Sequence, residues 1–248
     1  MASASQAFDV PSSTPFTGRN GLVDKYFYFT MSLVVVGIVV WGFGHTVNSN
    51  LFHAAVARPR ILWFHSAVFS GWALFFILQT GLVRTHNVRL HRTLGWFGLG
   101  LGMVMIPLGV TTAIMMGRFR VHTLHEAGAQ FFEIVPIFDM LTFTTWLALG
   151  IYWRRKPELH RRFFYIATCG LLAAAFGRFP YISDHNLFYW CVDGVILLGV
   201  LRDLVVNRRV HMVYRVALPV LIVAQGFVVH VINSNPAWWV RIANAWMG

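Results

Sequence analysis

The sequence predicts an all-α, polytopic membrane bundle of seven transmembrane helices, and three observations carry that expectation. Only 12% of its 248 residues are charged, while 57% are hydrophobic and 16% aromatic; a soluble domain carries about 25% charged residues. The apolar residues gather in runs of roughly twenty, the length a helix needs to cross about 30 Å of hydrocarbon. These runs lack the alternation of strands, and only helices or closed barrels satisfy their backbones in lipid.

Three regions are expected. Residues 1–25 form a tail rich in Ser, Thr, Pro and Gly, without the basic start and apolar core of a signal peptide. Residues 26–234 form the transmembrane domain, with spans at about 26–46, 61–83, 94–117, 129–153, 163–179, 187–206 and 213–232. A polar connection with Asn48, Asn50 and Pro59 separates the first two. The third holds Gly95, Gly98, Gly100, Gly102 and Gly109 and so reads as a close-packing helix central to the bundle, with a kink at Pro107. The fourth opens on the most polar stretch of the chain, HTLHEAGAQFFEIVPIFD, and an extension back to His122 would let it stand proud of the bilayer. Each of the third, fifth and seventh follows a short related sequence, RLHRTL, ELHRRF or RVHMVY, as successive helical hairpins would. In residues 235–248, Trp238, Trp239, Ile242 and Trp246 can share one face of a short interfacial helix, which could also bind partner membrane proteins.

Fourteen of the twenty lysines and arginines fall at the end that carries the N-terminal tail. The positive-inside rule then places the N-terminus in the cytoplasm and the C-terminus outside, as for a bacterial inner-membrane protein. The net charge of +11 therefore reads as a topology signal. No nucleic-acid motif or soluble domain accompanies it, which excludes nucleic acid as a partner. Cys169 and Cys191 lie in apolar segments without metal or haem-attachment spacing, as small buried side chains do.

Ionisable residues inside spans are costly and point to function. His45, His65, Glu133, Asp139, Arg178, Asp193 and His230 all fall in the outer half of the predicted bundle, and the inner half is expected to be nearly free of such groups. If the fourth helix begins at His122, then His122, His125, Glu126, Glu133 and Asp139 share one half of its surface at about 100° per residue. Nitrogen and carboxylate ligands in that pattern suit Fe, Zn, Mn or Cu, with His65 completing the shell from another helix. A polar network in which Arg178 neutralises Asp139 or Asp193 would use the same residues structurally. Haem b is the other cofactor expectation, with axial histidines drawn from His45, His65 and His230 on the outer side or from His91 and His160 on the inner side. Glu133 and Asp139 are also proton-relay candidates, being carboxyls set in apolar surroundings. A retinal protein is excluded because Lys25 and Lys156 are the only lysines and both lie at the inner boundary.

The segments LWFHSAVFSGWALFFILQTGLV, LHRTLGW, KPELHRRFFYIAT and AFGRFP, spread over 41–180, resemble a large uncharacterised family of bacterial multi-pass membrane proteins with an LHRxLG signature. Its helical-hairpin pattern is similar to that of cytochrome-b-like and ferric-reductase-like proteins. The best-matched positions are His65, Trp72, Gln79, His91, Arg92, Gly95, Asp139, His160 and Arg178. The chain departs from that pattern at His45 and in the loop with His122, His125 and Glu126. The resemblance implies fold and membrane location. Together with the His and carboxylate cluster, it leads to the expectation of a metal- or haem-binding, redox-related membrane protein. The alternative is a non-catalytic subunit or assembly factor whose aromatic helices bind partners.

Overall fold

The computed structural model describes residues 19–247, and among them all regular secondary structure is helical. Long helices α1 (Arg19–Gly44), α2 (Ile61–Arg84), α3 (Val88–His122) and α4 (Ile134–Tyr152) run up and down in turn. They are followed by α5 (Pro157–Gly170), the short helices α6 (Ala173–Phe176) and α7 (Pro180–Asp184), then α8 (Phe188–Asn207), α9 (Met212–Ser234) and α10 (Ala237–Met247). A π-helical turn (Asn48–Phe52) and a 3₁₀ turn (Ala129–Glu133) lie in the connections. The expected tail falls mostly outside the described residues, and α1 already begins at Arg19. Asp24 explains the early start, since it pairs with Arg202 and Arg161 and so belongs to the packed helix.

Among the described residues, five segments are long and apolar enough to cross a membrane: Gly21–Gly44, Ile61–Arg84, Val88–His122, Ala129–Tyr152 and Met212–Ser234. Large apolar side chains such as Trp96, Phe97, Leu141, Trp190 and Val223 face outward. This is the build of a multi-pass membrane protein in contact with lipid. The other two predicted spans look different. The fifth is divided, because α5 stops at Gly170 and only the single turn of α6 follows. The sixth is the 20-residue α8, which carries Asp193, Arg202 and Asp203.

The centre of the bundle is α5 with α8, not α3. Tyr165, Ile166, Ala167 and Cys169 of α5 and Ile196 of α8 are fully buried. In α3 the small residues make a seam on one side only: a Cβ on Gly102 would lie 2.7 Å from Leu147, and one on Gly117 would lie 2.8 Å from the Glu133 carboxyl. The opposite side presents Trp96, Phe97, Met103 and Val104 outward. Close approach to α2 and α4 thus needs glycine, while the rest of the helix meets lipid.

The half that carries Asp24, predicted to face inward, is not free of charge. Arg162 of α5 grips Asp203 of α8 with two parallel bonds, Nη2 to Oδ1 at 2.5 Å and Nε to Oδ2 at 3.0 Å. Arg202 adds Nη1 to Oδ1 at 2.7 Å and also pairs with Asp24. Arg162 Nη1 donates to the carboxylate and carbonyl of Glu158, both at 2.7 Å. Arg162, Arg202 and Asp203 are at most 2% exposed, so they are sequestered charges and not boundary residues. Three helices are tied together by this network.

Removing one partner of a buried pair strands the other, at a cost of about 3–5 kcal/mol. Asp203→Asn is therefore expected to destabilise the protein by that order in detergent-micelle unfolding. Glu158→Gln, at a side chain that is half exposed, should cost about 1 kcal/mol or less.

Candidate functional site

Two carboxyls lie deep in the bundle away from any cation. Asp139 of α4 accepts a hydrogen bond from the Tyr189 hydroxyl of α8 at 3.0 Å. Asp193, one turn further along α8, accepts from the Gln225 amide of α9 at 3.1 Å. All three of Asp139, Asp193 and Gln225 are buried. Beside Asp139 and Gln225 is a cavity of about 10 Å³, lined also by Thr142, Gly170 and Tyr189 among others, the size of one water. Gly170 is also where α5 ends, so an interrupted helix borders the same cavity.

The predicted ligands are otherwise dispersed. His122 is the last residue of α3, not the first of α4, and its Nε2 donates to the Met247 carbonyl at 2.8 Å. Between it and α4 the chain turns through His125 (φ 53°) and Gly128 (φ 78°), so the shared helical face expected of His122, His125, Glu126, Glu133 and Asp139 does not form. Left-handed geometry at two nearby positions ends one helix and separates it from the next. His125 is exposed, and Glu126 is held by Arg120 Nε at 2.7 Å. Glu133 is buried against Gly117, close to Met247. The Nδ1 of His45 bonds the Trp41 carbonyl at 2.8 Å, His65 stacks on Phe69 at 4.0 Å, and His230 is exposed on α9. Arg178 neutralises neither Asp139 nor Asp193; its Nη1 donates to the Ala174 carbonyl at 2.5 Å. Among the described residues, no three His, Cys, Asp or Glu side chains are grouped to hold a metal ion.

One predicted pair does come together. His91, in the first turn of α3, and His160, in the first turn of α5, have ring centroids 6.2 Å apart with nearly perpendicular planes. The Nδ1 of His160 donates to the Gly150 carbonyl at 2.9 Å, which leaves Nε2 as the acceptor nitrogen. The Gln79 amide is buried without a hydrogen-bond partner.

Sequence reading missed Tyr189, Gln225 and Thr142 as companions of Asp139, and missed the Arg162–Asp203–Arg202 network. An isolated Tyr, Gln or Thr in an apolar run carries little signal. The network had one: Asp24, Glu158 and Asp203 are acidic residues placed at the strongly basic end. No family model matches the chain, and neither a curated protein nor a solved structure matches it.

At that basic end His211 precedes α9, and its Nδ1 accepts the Val213 N–H at 3.2 Å, a cap that requires the nitrogen unprotonated. Burial, then the charge of Arg162, hold its pKa down from 6.5 to about 4, against the opposing pull of Asp203 and Glu158. The unfolded chain binds that proton more readily, so the His211 contribution is complete above about pH 6.5. It is lost as the pH falls toward 4. Thermal unfolding in detergent should show this decline, and His211→Asn, which keeps a cap acceptor, should flatten it.

Proposed function

We propose that the chain crosses a bacterial inner membrane seven times, with the Asp24 end in the cytoplasm, and that the Asp139–Tyr189 and Asp193–Gln225 core is a proton-exchanging site. The observation that carries the reading is the pair of membrane-level carboxyls held only by neutral partners, with a water-sized cavity beside Asp139 and Gln225. Intramembrane ionisable groups are expensive, and those without a countercharge mark proton or ion pathways. Tyr189 can donate to a charged Asp139, and the same hydroxyl can accept once Asp139 carries the proton. A bound water would link this carboxyl to the Gln225 amide, and through it to Asp193. The interruption of α5 at Gly170 sets a helix end beside the cavity, an arrangement that broken helices also give at transporter sites. Seven crossings follow from taking α5 with α6, and then α8, as the two connections between the ends that the other five helices span. The basic end faces the cytoplasm by the positive-inside rule.

The test is proton flux into liposomes containing the purified protein, driven by an imposed membrane potential. Wild type should acidify the lumen faster than empty liposomes. Asp139→Asn should remove about tenfold or more of that rate, the scale of one lost proton-transfer group, and Asp193→Asn should also slow it. Equal flux in wild type and a folded Asp139→Asn variant would sink the reading.

His91 and His160 support a second reading, a redox membrane protein with one imidazole from each of two helices on haem or a metal ion. His91 and His160 would hold the iron, and haem b would supply one-electron chemistry there. The interface is tightly filled, with the His160 ring 4.6 Å from Phe164, so a porphyrin requires the helices to part. This weighs toward the proton reading. A visible spectrum with metal quantification decides it: a Soret band, or stoichiometric metal, that disappears in His160→Ala supports the redox centre.

A further inference from the structure

The oxygens around the cavity beside Asp139 are only partly engaged. Tyr189 donates to Oδ1 of Asp139 at 3.0 Å, which leaves Oδ2 of that carboxyl and the lone pairs of the hydroxyl. Thr142 Oγ1 donates to the Asp139 carbonyl at 3.0 Å and keeps its own acceptor capacity. Gln225 gives its Nε2 to Asp193, so its amide oxygen is not used in that bond. These side chains line one void together with Gly170, at the C-terminal end of the 14-residue α5. Among the described residues that line it, Asp139 is the one charged group and Tyr189 the only other titratable one; Asp193, behind Gln225, does not line it. A Cβ built on Gly170 would meet only the Thr142 hydroxyl, at 3.8 Å, so the missing methyl is part of the void.

A carboxylate in apolar surroundings needs either a proton or a cation beside it. Oxygen donors without nitrogen or sulfur suit hard cations. A void of one-water size excludes a hydrated ion, and a single carboxylate neutralises a single charge. Magnesium, which gives up its waters reluctantly, meets neither limit. We propose that this cavity binds one desolvated alkali cation, sodium or potassium, in place of the water, with Asp139, Thr142, Tyr189 and Gln225 as its oxygen ligands. The end of α5 at Gly170 adds the negative pole of its backbone dipole, the orientation in which broken helices meet cations in transporters. Entry is through the joint after Gly170, since helix-terminal positions absorb the motion that opens a bundle. The assignment rests on the proton reading in one respect, that Asp139 gives up its proton in the folded protein. It names the ion that then takes the proton's place.

Equilibrium binding of radioactive sodium to purified protein in mild detergent, with choline chloride as the background salt, tests it. Wild type should bind one ion per chain, saturably. Displacement by potassium chloride at lower concentration than by sodium chloride would identify potassium as the ion, and the reverse order sodium. Thr142→Val keeps the branched shape and removes an oxygen ligand, and Gly170→Ala places a methyl in the void. Each should weaken binding by about tenfold or more, the scale of one lost contact to a charge. Neither substitution removes a partner of the Asp139–Tyr189 hydrogen bond, so both serve if Asp139→Asn does not fold. No saturable binding by folded wild type, or binding unchanged in both variants, would overturn the assignment. The readout involves no flux: a bound cation without proton flux would leave the assignment standing while the proton reading falls, and proton flux without a bound cation would do the reverse.

Discussion

A carboxylate and two guanidiniums taken out of water at one end of a greasy bundle set the terms for the rest of the molecule. Asp203 is tolerable inside only because Arg162, Arg202, the His211 amide and Asn207 all donate to it, and each donor must arrive in register. That requirement fixes α5 against α8, and Asp24 brings α1 to the same point. Two turns further up α8, the Tyr165 hydroxyl donates to the Val195 carbonyl at 2.5 Å. Gly199, between the two, leaves room for the Tyr165 and Tyr214 rings that any side chain would strike. The α5–α8 contact is therefore pinned at one end by charge and higher up by a hydroxyl.

Above that seam the character of the polar groups changes. Near Asp203 opposite charges cancel, whereas the partners of Asp139 and Asp193 are neutral and the packing leaves a small void beside Asp139. The closed network resists rearrangement because every donor and acceptor in it depends on the others. Neutral pairs carry no such constraint, and a proton can change which member donates. The charged network and the neutral pairs thus lie at different depths of α8, the helix that contributes to both.

The apolar runs were legible because membrane burial imposes a length on them, and α2 and α9 lie close to where those runs place them. Charges inside α8 were harder to read. Arg202 and Asp203 stand near a span boundary, where such residues usually meet water, and their burial depends on Arg162, forty-one positions away from Asp203. The fourth helix misled for a local reason: imidazoles and carboxyls at helical spacing suggest one face, but His125 and Gly128 adopt left-handed backbone and divide the stretch between two helices. The carboxyl at Asp139 was visible as an anomaly in an apolar run, while its neutral companions on α8 and α9 were not. Pairing across helices is a tertiary fact, and a lone glutamine such as Gln225 gives no hint of it.

The 35 residues of α3 make a rod about 52 Å long at 1.5 Å per residue, against roughly 30 Å of hydrocarbon. Leaning over would absorb part of the excess, but the far end is encumbered: Arg118 bonds the Trp246 carbonyl, His122 bonds that of Met247, and the Trp239 indole reaches the Phe131 carbonyl. The excess length at that end is braced by the 3₁₀ turn and α10. A long helix tied at its end to two other segments cannot fray there on its own.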